Sequence, residues 1–109
     1  MATIYKVLGQ ANPAATTATA LYTVPAANSA IVSTLNICNL NSSAGSFRIA
    51  VRPAGATLAN VHYLAYDTVV PANNSISYTI GMSLAATDVV TVYANTALVS
   101  FSLFGTEIY

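Results

Sequence analysis

"LYTVPAANSAIVSTLNICN", residues 21–39, decides how this chain is read. The stretch has no charge and is apolar for most of its length. It does not read as a helix: Pro25 interrupts it, and alternation with β-branched residues runs through it instead. Alternation fits better. Ala20–Val24 reads as a short strand closed by Pro25, and Ser29–Cys38 as a long one. Strict alternation puts Ile31, Leu35 and Ile37 on one face. Val32, Thr34, Asn36 and Cys38 fall on the other. The stretch ends on the only cysteine of the chain. Cys38-Asn39 is therefore either the edge of a reactive site or the place where a strand stops.

The same alternation runs outward in both directions. Thr3–Leu8 reads as a first strand, followed by a polar, small-residue loop over residues 10–19. After the turn formers of "NLNSSAG" comes Ser46–Arg52, with Phe47, Ile49 and Val51 opposite Arg48, Ala50 and Arg52. His62–Val70, Ser75–Ser83, Val89–Ala94 and Leu98–Phe104 follow, separated by "PANN", "AATD" and "NTA". Gly105 marks a bulge or bend. Eight strands or so, with turn signals every eight to twelve residues, predict a single antiparallel β-sandwich, jelly-roll or immunoglobulin-like. The sandwich is expected over residues 20–109. Residues 1–19 are set apart as a strand and loop able to reach a neighbouring subunit as an arm.

Composition limits the function classes. Charged residues make up 6% of the 109 positions, three basic and three acidic, for a net charge of zero. Ordinary soluble domains carry about 25%. Three cations cannot supply the phosphate contacts of a nucleic-acid surface. No uninterrupted apolar run of membrane-spanning length occurs, and "MATIYKVLGQ" lacks the basic-then-apolar pattern of a signal peptide. Neither a nucleic acid nor a membrane is expected as a partner. Such a chain is solubilised by its Thr, Ser and Asn, or covered by partners, or both.

Catalytic chemistry finds little material. A Cys38–His62 dyad would need an orienting group, and Cys38 sits among apolar and amide residues, the setting of an inert thiol. One His, one Cys and three scattered acids give no short-spaced ligand pair, so no metal and no cofactor are expected. Asp88 in "ATDVV" reads as a turn residue accepting backbone N–H bonds. His62 reads as a polar strand-edge residue. Arg48 and Arg52, four residues apart on one strand face, are expected to meet acids such as Asp67 or Glu107, within the subunit or across to a neighbour. Seven tyrosines and no tryptophan favour core and interface contact over a carbohydrate platform. The candidate interface residues are Ile4, Tyr5, Lys6, Val7, Arg48, Arg52 and Tyr109.

The succession "LYTVPA", "AIVSTLNICN", "FRIAVRPAGA", "HYLAYD", "PANNSISYTIG", "ATDVVTVYA" and "VSFSLFGTEI" resembles small virion proteins of tailed bacteriophages. The likeness spans most of residues 20–108. It implies a β-sandwich carried on the phage particle, and it brings no enzymatic residues. The expectation is a non-enzymatic capsid decoration (cement) protein on the head surface, made in the host cytoplasm. It would bind the major capsid protein or other virion proteins, as a homo-oligomer with a trimer favoured. A tail, baseplate or fibre component with a role in host attachment is the second reading. A free carbohydrate-binding module is the third.

Overall fold

The computed structural model describes residues Met1–Tyr109. Nine strands form: β1 (Thr3–Ala11), β2 (Thr19–Thr23), β3 (Ser29–Asn39), β4 (Gly45–Arg52), β5 (Tyr63–Val70), β6 (Ser75–Tyr78), β7 (Met82–Leu84), β8 (Val89–Ala94) and β9 (Val99–Ile108). Single 3-10 turns lie at Pro53–Gly55 and Asn60–His62. The first sheet has the order β1-β9-β3-β6, with β7 also on β3. The second has the order β2-β8-β4-β5. Every pairing is antiparallel.

β6 and β7 lie end to end along β3, which counts them as one broken strand. Ser75–Ser83, expected as a single strand, is therefore split at Thr79–Gly81, where one extra residue interrupts the ladder. With the two merged, eight strands pass between the sheets in the order of a jelly roll. The chain forms a two-sheet β-sandwich of that topology, not an immunoglobulin-like one. Residues 3–11, set apart as an arm, pair along β9 of the same chain. The following loop is tied back by a bond from the Thr16 N–H to the Ala94 carbonyl at 2.8 Å.

The core lies between the sheets. Leu35, Ile37, Phe101 and Leu103 from the first sheet meet Phe47, Ile49, Val90 and Val92 from the second, all fully buried. Phe47 packs edge-on against Phe101 at 6.3 Å between centroids, the favoured geometry for aromatic pairs.

One departure from strict alternation changes which residues reach that core. β3 carries an extra residue, Ser33, between the Val32–Gly105 and Thr34–Phe104 pairs with β9. β1 carries another, Leu8, between Val7 and Gly9. A β-bulge shifts the side-chain phase by one. Val32, Leu35 and Ile37 therefore point inward, and Ile31 points out, reversing the expected roles of Ile31 and Val32. Gly105 sits at the same level. A Cβ there would collide with the Ile31 carbonyl oxygen and crowd Leu8 and Val32, so the backbones of β3 and β9 approach closely only because residue 105 has no side chain.

Asn39 ends β3 inside the protein rather than on its surface. Its Nδ2 donates to the carbonyls of Ser43, Val70 and Pro71 at 3.0–3.2 Å, and its Oδ1 accepts from the Asn41 N–H at 3.0 Å. One side chain thus organises the exit of β3 and the exit of β5. Asp88 does similar work, accepting from the N–H groups of Ala54 and Ala85 at 2.9 Å each. Its turn role agrees with the sequence reading. Cys38 lies on the outward side of β3, between Ser75 and Ser100, and is half-buried.

Three substitutions test this account. Val32→Ala should cost about 2 kcal/mol and Ile31→Ala under about 1 kcal/mol in chemical denaturation; equal costs would contradict the bulge. Asn39→Ala should cost roughly 3 kcal/mol by stranding buried carbonyls.

Candidate functional site

The outer face of the first sheet divides at the bulges. Above them, Gln10, Ser102, Asn36 and Ser77 make a polar row across β1, β9, β3 and β6. Gln10 donates to Ser102 Oγ at 3.3 Å and Asn36 to Ser77 Oγ at 2.8 Å. Below them the face turns apolar. Tyr5 (84% exposed), Val7 (48%), Phe104 (36%) and Ile31 (46%) face outward on three adjacent strands, with Thr106 between Tyr5 and Ile31 and Thr34 beside Phe104. Large apolar side chains grouped on an exposed face in this way mark contact sites.

The candidate interface residues do not form a single patch. Tyr5 and Val7 belong to this apolar half-face. Ile4 and Lys6 lie on the opposite side of β1, flanking Glu107. Tyr109 is exposed, and its backbone pairs with Ala2, which closes the chain ends together. Arg48 and Arg52 sit on the far side of the sandwich, on the second sheet. Ile31 and Phe104 were missed in sequence. For Ile31 the cause is the bulge at Ser33. For Phe104 a signal existed, since the alternation Val99, Phe101, Leu103 leaves it facing out.

Lys6 meets Glu107 at 3.2 Å, and Tyr22 Oη donates to the other carboxylate oxygen at 2.5 Å. Glu107 is 6% exposed. It takes the next inward place on β9 after Gly105, so the two sheets are joined there by a polar bridge. The Tyr22 hydrogen bond holds the Glu107 carboxyl below its ordinary value; burial opposes this, and Lys6 adds to it. The Tyr22 hydroxyl is pushed up by burial and by the same bond. Paired and bonded, this is a structural bridge rather than a poised acid.

The outer face of the second sheet carries a different cluster. Arg48 on β4 lies between the rings of Tyr66 and Tyr93, its guanidinium carbon 4.1 and 4.2 Å from their centroids. Asp67 receives Arg48 Nε at 2.7 Å and Nη2 at 3.2 Å. A bulge in β5 makes this possible. Ala65 pairs with Ile49 and Thr68 with Phe47, so Tyr66 and Asp67 share the interval opposite Arg48. Asp67 takes a left-handed backbone, φ 48°, a conformation most non-glycine residues avoid. Its carboxyl is held below the ordinary value, chiefly by the Arg48 hydrogen bond. Tyr63 meets Tyr66 edge-on at 4.9 Å. Tyr63, Tyr66 and Asn60 line an open depression of about 350 Å³.

Arg52 takes no acid. It donates to Thr91 Oγ1 at 3.0 Å and to the Gly55 and Ala56 carbonyls, fastening the 3-10 turn to β8. His62 accepts the Ala59 N–H through Nδ1 at 3.1 Å within its own turn.

The pH dependence of the Glu107 bridge has a fixed sign. Because its carboxyl is lowered from 4.5, its contribution is complete above that value and is lost as pH falls through the folded value. Glu107→Gln should therefore flatten the acid limb of the stability–pH curve, measured by denaturant midpoints from pH 6 down to 2. An unchanged limb would contradict the bridge.

Comparison with known proteins adds no relative: no family model matches the chain, and no curated protein matches its sequence.

Proposed function

We propose that this chain is a non-enzymatic structural protein of a tailed-phage virion, a decoration (cement) protein that binds the outer head surface and stabilises the shell. One observation carries the reading: the uncharged apolar half-face of Tyr5, Val7, Ile31 and Phe104 on the first sheet. Exposed large aromatic and branched side chains grouped on one sheet face are what interface anchors look like. The sequence resemblance to small virion proteins supports placing the partner on a phage particle.

The mechanism is mass action. A protein that binds only the assembled shell lowers the free energy of that state and so opposes its dissociation. Acting as a homotrimer, three copies would present the half-face together, and individually weak contacts would add through effective concentration. Low charge suits this role. Every Lys, Arg, Asp and Glu side chain is already hydrogen-bonded within the chain, so docking the neutral face strands no unpaired charge.

Heads assembled without this protein should lose resistance to heat, and adding the purified protein should restore it. The double variant Tyr5→Ser, Phe104→Ser should stay folded, because both side chains face out, yet bind heads at least about 30-fold more weakly. Heads equally stable without the protein, or undiminished binding by the double variant, would contradict the proposal.

A further inference from the structure

We propose that the depression beside Tyr66 is a binding site for a neutral saccharide. It lies on the outer face of the second sheet, on the opposite side of the sandwich from the apolar half-face. The inference stands apart from the docking role.

The site is built rather than incidental. Tyr63 and Tyr66 meet at 90° with 4.9 Å between centroids, which makes a corner of two aromatic walls. Asn60 is the third lining residue. Tyr66 is half exposed, yet it is held in place. Arg48 stacks on it at 4.1 Å, Tyr93 backs Arg48 at 4.2 Å, and Asp67 grips the guanidinium from the side. A ring fixed this way loses little conformational freedom when a ligand lands on it.

The chemistry selects the ligand class. The three lining residues are uncharged at neutral pH. The one nearby cation, Arg48, is neutralised by Asp67. A phosphate or an acidic chain would need a free cation, and none lines the depression. An apolar ligand would leave the Asn60 amide and the tyrosine hydroxyls without partners. A sugar ring fits both demands. Its C–H faces pack on an aromatic ring, and its hydroxyls reach the Asn60 amide and the tyrosine phenols that line the depression.

The bulge adds to this. The left-handed backbone at Asp67 is a departure that a plain strand would not need. Its effect is to bring Tyr66 and Asp67 onto one face beside Arg48.

The test uses the full-length protein labelled with ¹⁵N. Glucose, galactose, mannose and N-acetylglucosamine, and their β- and α-linked tetrasaccharides, would be titrated to millimolar concentration. Sialyllactose serves as the acidic probe. At least one neutral saccharide should shift the amides of Asn60, Tyr63 and Tyr66 and saturate. Tyr66→Ala should weaken that binding at least tenfold, and Tyr66→Phe should keep it within about threefold. Tyr5→Ser on the opposite face should leave it unchanged. Asn60→Ala, a turn variant that spares the sheet, should also weaken it if Tyr66→Ala proves poorly folded. The proposal is overturned if no neutral saccharide shifts these amides, if only sialyllactose does, or if binding survives both Tyr66→Ala and Asn60→Ala. It is equally overturned if these amides respond only to added phage heads, since the face would then be a protein contact.

Discussion

The bulge at Ser33 is the constraint on which the rest of the first sheet depends. One inserted residue in β3 moves Val32 into the core and turns Ile31 outward. Leu8 does the same on β1, and the break at Thr79–Gly81 absorbs the shift on the other side of β3. Together these irregularities cross the sheet at one level, and Gly105 lets the backbones approach there. Without the insertion, Ile31 would lie inside with Leu35 and Ile37, and the outer face would lose one of its four apolar members. Fold and contact surface thus follow from the same local event.

Scarce charge shapes the molecule as much as the core does. Glu107 bridges the sheets through Tyr22 and Lys6, Arg48 pairs with Asp67, Arg52 fastens a 3-10 turn, and Asp88 caps two backbone N–H groups. Glu107, Arg52 and Asp88 satisfy buried or turn-forming polar groups, and Arg48 and Asp67 satisfy each other on the outer face, which fixes geometry more than it adds stability. The apolar half-face is left free of charge as a consequence. The aromatic cluster around Arg48, with its charge already balanced, occupies the other side.

Much of this organisation was legible in the sequence. Period-two alternation located the strands, with Val89–Ala94 agreeing at both ends, and Pro and Asn clusters located the turns. The two-sheet sandwich followed from strand number and spacing. The choice between jelly roll and immunoglobulin-like order did not, because it depends on pairings such as β1 with β9 that span the whole chain. Bulges escaped for a related reason: Ser33 is an ordinary strand residue by composition, and only the register against β9 exposes it as extra. The Arg48–Asp67 pair was anticipated from scarcity of partners. Its tyrosine flanks were not, since they depend on the bulge at Tyr66–Asp67, which no glycine or proline announces. Of the two readings of Cys38-Asn39, the strand stop agrees with β3, which ends at Asn39; the burial of Asn39 among the Val70 and Pro71 carbonyls comes from the fold around it.

The central claim is that this chain works by seating one sheet face on a phage head. Cryo-electron microscopy of the intact particle tests it most directly, at a resolution that distinguishes the two sheets. The account predicts density for this sandwich on the outer shell, with Tyr5, Val7, Ile31 and Phe104 against the coat protein and Tyr66 and Arg48 toward solution. Density with the second sheet against the coat, or a head surface bare of this protein, would contradict it.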